Sequence, residues 1–520
     1  MKVFNFKIFF FLLVSVVVFG QQSFNIDLFG KFDRGDERYS GSWIYNGPNG
    51  EYALLGTSTG TAIYSMNDSN NIKELAFIPG PKSNWREITV MGNFAYVVTE
   101  GKNPRPVGMQ VIDLRSLPAS ASLVTNYTTS FNTAHTVQRD IYSEKPILYV
   151  SGSNTLQGVH FIDVSNPRQP KEIGRYDPGY YIHDCFVKNT IMVAAAFEEA
   201  TFDVVLILRP DNPFVLGRVD DPDGFCHSSF ETEDNKYLIT LSEKDGIKAK
   251  ILDIRDEPII RLAAKYTANP KGLVHNVYIK DSFAIFSHNT EGLRIVDIRD
   301  PSVPVEVAYY DTYDGPAGGS HGLWSACPFS KSGKIIGGNR EDGLYIWHFD
   351  TVFAGRFKGR VFDKKTQQPI NNVEVKLESP QKLWYSDPQG RFKGGALSGD
   401  YTLTFAAQYY KPFTMPITLK EKDDQKFDVF LERYPVSTKD NVNVDIKIYP
   451  NIVLNEIHIS GNDTHENWKA VIINQQGKLI FQEVFSSDVL NLSKLPKGQY
   501  FIQIYNDHQE LLITQKIIKL

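Results

Sequence analysis

Histidines recur through the middle of the sequence at intervals close to the length of a four-stranded propeller blade. The interval is roughly 45 residues, and the residues are His135, His183, His227, His275 and His321. Neutral imidazole is a ligand for Cu, Zn, Ni and Fe, and three convergent nitrogens with one open position form a reactive metal centre. In a closed ring of repeats, equivalent residues on the innermost strands meet at one mouth of the channel. The spacing therefore predicts a ligand or transition-metal site at that mouth.

A structural role for the same histidines stays open. A residue that recurs in every repeat often serves each repeat, and each imidazole could donate a hydrogen bond to a carbonyl of the adjacent blade. The intervals are whole repeats, so they match no local metal motif such as H-E-x-x-H. Trp85 opens an earlier repeat and is assigned to the same channel ring, with the carboxylates of Glu87 and Asp184 close in sequence to ring members.

The rest of the sequence carries no recognisable catalytic motif. It contains no G-x-S-x-G elbow, no P-loop and no dinucleotide-binding fingerprint. The acidic loop at 220–224 has carboxylates suited to Ca²⁺ but lacks an EF-hand register, and it is interpreted as a solvated turn. Cys185, Cys226 and Cys327 are too few for a disulfide framework and are interpreted as buried thiols. A net charge of −5 gives no long-range attraction for nucleic acid.

The repeats consist of short runs rich in β-branched and aromatic residues, separated by turn formers, which predicts strands. The third run of the repeat reads MQVIDL at 109–114 and VHFIDV at 159–164. Its closing carboxylate suits a turn, because a short side chain can accept backbone N–H bonds there. This turn role is predicted for Asp113, Asp163, Asp253 and Asp297.

Seven repeats can be counted, and the last one lacks a strand. The final repeat, from His321 to Asp350, contains three strand-like runs, whereas LFGKFD at 28–33 matches a fourth run and precedes the first repeat. We therefore predict that this N-terminal strand completes the last blade and closes the ring, which removes an exposed sheet edge. The predicted fold is all-β: a seven-bladed β-propeller closed by an N-terminal strand and followed by two small β-sandwich domains.

The repeats resemble a known family. The runs at 85–114 and 275–313, together with DGLYIWHF at 342–349, are similar to the LVIVD-repeat proteins of the choice-of-anchor B type. The resemblance covers roughly residues 25–350 and implies an exported propeller of unassigned activity. Propellers with similar repeats, of the methanethiol oxidase and selenium-binding type, use histidines with copper, and that similarity lies at the level of the fold.

Two further domains are predicted after the propeller. Residues 353–433, with the SDPQGRF turn, resemble a carboxypeptidase regulatory-like sandwich of the transthyretin type, which implies a spacer or binding accessory. A polar linker at 434–445 follows. Residues 446–520 resemble a type IX secretion C-terminal sorting domain, whose motif residues are Tyr449, Pro450, Asn451, Gly498 and Tyr500. The resemblance implies recognition by the type IX export machinery.

The N-terminal sequence also predicts export. Lys2 and Lys7 precede an apolar run at 8–19 and a small residue, the pattern of a signal peptide, here at 1–20. The propeller is then assigned to 21–352, and no transmembrane segment is predicted. Both ends together predict a protein exported across the two membranes of a Gram-negative bacterium of Bacteroidetes type, to the cell surface or the medium.

The predicted function is that of a binding or interaction protein. Its ligand is an unassigned extracellular protein, glycan or small molecule, and the histidine ring makes a transition metal the candidate cofactor. The alternative is a metal-dependent enzyme, with copper as one candidate metal, whose site is the same ring of histidines.

Overall fold

The computed structural model describes residues 22–36, 38–69, 71–256, 259–379, 381–434, 446–460, 467–506 and 511–520. Every regular element within these ranges is a β-strand, in keeping with the many short aromatic and β-branched runs between turn formers. The predicted signal peptide at 1–20 and the predicted linker, apart from Tyr434, lie outside the described residues.

The propeller begins with two N-terminal strands, β1 (Ser23–Phe24) and β2 (Asp27–Phe32). Five antiparallel sheets of four consecutive strands follow. Their strands are β3 Tyr39–Gly47, β4 Gly50–Thr57, β5 Gly60–Ser65 and β6 Glu74–Pro79; β7 Arg86–Met91, β8 Phe94–Thr99, β9 Met109–Asp113 and β10 Ser122–Tyr127; β11 Thr136–Arg139, β12 Ile147–Ser151, β13 Val159–Asp163 and β14 Lys171–Tyr176; β15 Ile182–Lys188, β16 Ile191–Ala196, β17 Thr201–Leu206 and β18 Phe214–Asp220; β19 Cys226–Glu231, β20 Tyr237–Ser242, β21 Ala249–Asp256 and β22 Ile259–Tyr266.

Two more sheets of the propeller are completed by the N-terminal strands. The sixth sheet contains β23 Asn276–Lys280, β24 Phe283–Ser287, β25 Leu293–Asp297 and β26 Val305–Tyr310, and the seventh contains β27 Leu323–Cys327, β28 Lys334–Asn339 and β29 Gly343–His348. β2 pairs antiparallel with β29, with Lys31 opposite Tyr345 and Phe32 opposite Leu344. The predicted closing strand is therefore confirmed. β1 adds a fifth strand to the sixth sheet beside β26, which the sequence pattern did not predict.

The innermost strands close a ring. Within the described residues, the first strand of each sheet contacts the first strand of the next, in the order β3, β7, β11, β15, β19, β23 and β27, and β27 returns to β3. Each sheet is therefore one blade, and the residues at the start of these seven strands surround a common axis.

The aspartates at the equivalent position of the third strands make the predicted contacts; three of them end their strand, and Asp253 lies within β21. In each case, a carboxylate oxygen accepts a hydrogen bond from the backbone N–H two residues later. The four N–H···O distances are 3.0, 2.7, 3.2 and 2.9 Å for Asp113, Asp163, Asp253 and Asp297 respectively. This recurrent contact tightens the turn before the outer strand of the blade.

A sandwich of two sheets follows the propeller. One sheet has the order β33-β30-β36 and the other β32-β31-β34-β35. The strands are β30 Gly355–Asp363, β31 Glu374–Leu377, β32 Lys382–Tyr385, β33 Arg391–Ala396, β34 Gly399–Ala406, β35 Phe413–Leu419 and β36 Asp424–Leu431. β30 and β36 run parallel, with Arg356 opposite Asp424. Alternate residues of both sheets form one core that includes Phe357, Phe392 and Phe405.

The sandwich is fastened to the sixth blade by one buried carboxylate. Asp297 is fully buried and accepts hydrogen bonds from Arg299, from Arg356 of β30 at 2.9 Å, and from the backbone N–H of Ala354 at 3.0 Å. Burial raises the pKa of this carboxyl, but the bonds from Arg356 and Arg299 outweigh that effect, so its pKa is lowered overall. A turn residue of the repeat therefore also holds the start of the next domain.

The C-terminal residues form a separate compact unit, 433–520. A three-stranded sheet, β37-β39-β42, and a five-stranded sheet, β38-β44-β43-β40-β41, share a core around Ile457, Trp468 and Ile502. The strands are β37 Lys447–Tyr449, β38 Ile452–Val453, β39 Glu456–Ser460, β40 Trp468–Asn474, β41 Leu479–Phe485, β42 Val489–Asn491, β43 Gly498–Tyr505 and β44 Leu511–Lys519.

The predicted sorting-motif residues lie in two places in this unit. Tyr449 is exposed and stacks on His458, with ring centroids 5.6 Å apart, and Pro450 follows it at the end of β37. The carbonyl of Asn451 accepts a 2.8 Å hydrogen bond from the N–H of Ile518. Gly498 begins β43, and Tyr500 is buried, donating from its hydroxyl to the carbonyl of Pro496 at 3.1 Å. The role of these residues in export stays a prediction.

Candidate metal site at the channel mouth

Four of the five repeated histidines lie side by side at one mouth of the channel. Neighbouring ring centroids are 4.4 Å apart for His135 and His183, 4.3 Å for His183 and His227, and 4.4 Å for His227 and His275. The indole of Trp324 lies next to them, with its centroid 4.1 Å from that of His275. These five side chains, His135, His183, His227, His275 and Trp324, are called the arc. Sequence repetition thus brings together four imidazoles that are distant along the chain.

Irregularities in strand pairing position these side chains. The register of the innermost strand shifts between Ile182 and Asp184 and again between Cys226 and Ser228, so that His183 and His227 each occupy an extra position. A bulge of this kind re-aims the side chain that it carries. The same shift surrounds Trp324, between Leu323 and Ser325. His183, His227 and Trp324 are therefore the bulged residues of their strands and occupy equivalent positions in three blades.

His321 is not a member of the ring, so its assignment there is corrected. Its side chain is 47% exposed, its Nδ1 lies 2.9 Å from Glu341 Oε1, and its ring stacks on Tyr313. Gly322, with a φ of +79°, turns the chain between His321 and β27. Trp324 takes the channel position instead. A sequence signal did exist, because each channel residue precedes a polar one (Thr136, Asp184, Ser228, Asn276 or Ser325) whereas His321 precedes glycine.

Trp85 is also misassigned as a ring member. It precedes β7, is 36% exposed, and is not among the residues that line the channel cavity. Arg86 follows it and is fully buried, donating from its guanidinium to the carbonyls of Thr57 and Pro81. Glu87, one residue further, does line the cavity. On this side of the ring the sequence therefore supplies a carboxyl group in place of an aromatic ring.

His275 makes the inter-blade contact that a structural role requires. Its Nδ1 lies 2.8 Å from the carbonyl oxygen of Trp324 on the next blade. The amide nitrogen of Asn276 also lies 2.9 Å from this Nδ1, whereas the buried Nε2 has no hydrogen-bond partner within the described residues. Burial is the main reason that the pKa of His275 falls to about 3. This imidazole is therefore neutral at ordinary pH.

His183 and His227 face a shared carboxylate. The Nε2 atoms of His183 and His227 lie 4.0 and 3.8 Å from Oε2 of Glu243, and one ligand atom from each of the three residues fits within 4.8 Å of the others. Burial, followed by the neighbouring imidazoles, lowers the pKa of both histidines well below the ordinary value. Sequence analysis missed Glu243. It directly follows the second strand of its blade, the position that Glu100 takes after β8, and this recurrence was the available signal.

His135 is held differently at the end of the arc. Its Nδ1 lies 2.6 Å from Glu100 Oε1. Burial lowers the pKa of His135, but the hydrogen bond and charge of Glu100 outweigh that effect, and the pKa is raised overall. His135 therefore carries the positive charge of the arc more readily than its three neighbours.

The cavity below the histidines is small and closed at the far end. Its volume is about 50 Å³, room for a few water molecules or an ion but too little for an organic ligand. Aromatic rings in mutual contact fill the opposite end of the channel: Trp43, Phe186, Phe230, Tyr278 and Phe329. These rings therefore pack against one another across that end of the channel.

Glu87 is a second buried carboxyl in this cavity. Its Oε1 accepts a 2.8 Å hydrogen bond from the indole N–H of Trp324, and burial raises its pKa to about 7. Gly41 makes room for it, since a Cβ at that glycine would lie 2.5 Å from Glu87 Oε2.

Replacing Glu87 with glutamine should stabilise the protein at high pH. A carboxyl whose pKa is raised on folding stabilises the fold fully below its unfolded pKa of 4.5, and that contribution is lost as the pH rises through about 7. Glutamine still accepts the Trp324 hydrogen bond and does not ionise. We expect E87Q to gain about 3 kcal/mol relative to wild type between pH 4.5 and 8, measured by denaturant unfolding at several pH values. A flat difference, like that expected for the exposed control E199Q, would contradict the burial argument.

The other sequence candidates hold no ligand geometry. Lys250 Nζ contacts the carboxylates of both Asp221 and Asp223, so an internal ammonium occupies the position that a Ca²⁺ ion would take. The three cysteines are buried free thiols. The interpretation of this loop as a turn agrees with the N–H of Asp223 donating to Asp221 at 3.1 Å.

Comparison with known families matches three parts of the chain. LVIVD repeats match residues 84–129, 148–178 and 271–312. A CarboxypepD_reg-like domain matches 357–443, and a secretion system C-terminal sorting domain matches 447–520. The fold and these matches define a β-propeller with LVIVD repeats, and the chain carries the predicted architecture of repeats, regulatory-like domain and sorting domain. The assignment to the choice-of-anchor B type stays a prediction.

The comparisons with individual proteins add little. No curated protein matches the chain. Among solved structures, the crystal structure of a functionally unknown protein from Desulfotomaculum acetoxidans DSM 771 is similar, with 12% identity and a TM-score of 0.43, over 57% of this chain and 93% of that chain.

The sorting domain gives the location of the protein. It indicates export by the type IX secretion system, to the cell surface or the medium, and hence an interaction with that machinery. Among the described residues, none of the elements is a helix of the length and apolar character needed to cross a membrane.

Proposed function

We propose that this exported propeller is a binding protein whose channel mouth takes one transition-metal ion. The observation that carries the proposal is the approach of His183 Nε2, His227 Nε2 and Glu243 Oε2 to within 4.8 Å of one another. Two imidazoles and one carboxylate are a ligand set found in proteins that bind zinc and other first-row metals, and it leaves a fourth position open.

The surroundings of the three groups support an ion as the ligand. The cavity is ion-sized, and the buried Nε2 of His275 beside His227 has no partner within the described residues. The hydrogen bond from His275 Nδ1 to the Trp324 carbonyl orients this ring, as outer hydrogen bonds orient metal-ligating histidines. The structural and ligand roles that the sequence left open are therefore compatible in one residue.

Metal titration of the purified exported protein tests this proposal. We expect wild type to bind one Cu²⁺, Zn²⁺ or Ni²⁺ ion per chain by calorimetry and elemental analysis, and H183A/H227A to lose that ion. E243Q should weaken affinity by roughly tenfold or more. H321A is the matched control, because His321 belongs to a repeat but lies outside the arc, and it should bind like wild type. Equal binding by wild type and H183A/H227A would contradict the proposal, provided that both unfold at similar temperatures.

The second candidate function is that of a metal-dependent enzyme, and the position and raised pKa of the Glu87 carboxyl favour this function. This buried carboxyl lies in the same cavity and has a pKa raised to about 7, which suits proton transfer near neutral pH. Turnover by the metal-loaded wild type that is lost in E87Q, with metal affinity unchanged, would distinguish catalysis from binding alone.

A further inference from the structure

The outer face of one sheet of the sandwich carries rows of like charge. The sheet β33-β30-β36 places Lys358 directly opposite both Lys393 and Lys426, so three lysines lie side by side across three strands. In the next row on the same face, Arg360 is opposite Arg391 on one side and Asp428 on the other. Alternate residues of β30 are buried, whereas Lys358 and Arg360 are exposed. The basic groups therefore share the solvent face.

This arrangement is unfavourable for folding alone. Neighbouring strands are about 4.8 Å apart, and like charges directly opposite each other destabilise a sheet. Asp424 neutralises Lys358 at 2.6 Å, and Asp300 lies 3.4 Å from Lys393. Arg360 and Lys426 have no acidic side chain within ion-pair distance in the part of the chain that the structure describes. The whole chain has a net charge of −5, so the basic face is a local feature that the average composition hides.

The basic face forms one wall of a groove shared with the propeller. The groove has a volume of about 1000 Å³ and extends to Arg255 and Ser302 of the fifth and sixth blades. Six basic residues line it: Arg255, Lys358, Arg360, Arg391, Lys393 and Lys426. Four of the six form ion pairs with aspartates, namely Arg255, Lys358, Arg391 and Lys393. The excess positive charge therefore lies mainly on Arg360 and Lys426. Its volume is at the upper end of the range found for ligand sites.

Aromatic rings border the charged rows. Phe362 and Phe430 stack on the same sheet face with centroids 5.6 Å apart, and Phe430 is 45% exposed. Trp384 and Tyr385 also line the groove, and Tyr385 is 54% exposed. The C–H faces of pyranose rings pack on such surfaces, while the lysines and arginines meet carboxylate or sulfate groups.

We propose that this basic sandwich face binds an acidic polysaccharide outside the cell. The rows of lysine and arginine favour a ligand with repeated negative groups, and the aromatic side chains beside them favour sugar rings. The proposal is independent of the metal site, because none of its residues lies at the channel mouth.

Affinity electrophoresis and calorimetry with heparin, alginate and dextran test this proposal on the full exported chain. We expect wild type to bind a sulfated or a uronate polysaccharide, and the difference between heparin and alginate identifies the anionic group. Neutral dextran should not bind, and affinity should fall steeply with salt. Equal retardation by a DNA duplex would overturn the assignment to a glycan, and no binding to either anionic polysaccharide would overturn the site itself.

Two double variants with the same change in net charge test whether the polysaccharide binds at this face. R360E/K426E should lose binding at least tenfold, whereas K364E/K365E, an equal charge change beyond the end of β30, should bind like wild type. Because Lys426 opposes another lysine, K426T should keep or raise the melting temperature while weakening binding. Loss of binding only in variants that melt earlier, or equal loss in the control, would overturn the proposal.

Discussion

Replacing Asp297 with alanine should lower the free energy of unfolding of the propeller and sandwich by about 3–5 kcal/mol. The carboxylate is fully buried and accepts hydrogen bonds from two guanidinium groups, and Arg356 is itself buried. Its removal leaves the buried Arg356 cation without a carboxylate and with backbone carbonyls as its acceptors, and the Ala354 N–H loses its acceptor. Denaturant unfolding measures the loss, and limited proteolysis near residues 349–353 should show a junction that opens more readily.

Asp253 provides the matched control for this prediction. It occupies the equivalent position on the third strand of the preceding blade and accepts the same hydrogen bond, but its remaining contact is with the exposed Arg255. We expect D253A to cost less than about 1 kcal/mol. A similar effect of the two substitutions would show that the turn, and not the domain junction, accounts for the contribution of Asp297.

The double variant F29A/F32A should lower the free energy of unfolding by about 3–5 kcal/mol. Both rings are half-buried on the closing strand β2 and pack against the core of the first blade. The ring of Phe32 lies 4.9 Å from that of Tyr64, and the ammonium of Lys334 lies over Phe29. The two side chains therefore join the last blade to the first. Calorimetric melting of the purified protein would measure the change.

Leu28 tests whether the effect of F29A/F32A belongs to the closing contacts. It lies on the same strand and is 40% exposed, so L28A retains the backbone pairing with β29 and most of the packing. We expect L28A to change stability by less than about 0.5 kcal/mol. If F29A/F32A were as stable as L28A, strand pairing alone would close the ring, and side-chain packing would contribute little.

The sequence predicted the architecture because each blade repeats its own local pattern. The closing strand was visible because LFGKFD matches the fourth run of other repeats while the last repeat lacks one. β1 could not be found in this way, since two residues carry no periodicity, and its pairing with β26 depends on where β2 is already held. The repeated local pattern therefore predicted the blades, whereas the pairing of β1 with β26 depends on tertiary contacts.

The site was predicted in part, for a related reason. Regular spacing identified the four imidazoles of the arc, but the same spacing also selected His321, because the loop before β27 has almost the length needed to keep the period. The bulges that aim His183 and His227 leave no trace in a strand pattern. Glu243 and Glu100 each follow the second strand of a blade, but only the closed ring shows that these positions lie beside the histidines.

The closing strand has a consequence for how the protein is made. Residues 27–32 leave the ribosome before β3, but their partner strand, residues 343–348, emerges only after the first six blades. Until then, the nascent chain has an unpaired sheet edge at each end, a hazard for aggregation. We therefore expect the ring to close only after residues 343–348 have emerged, so that chaperones acting before that point meet an open chain.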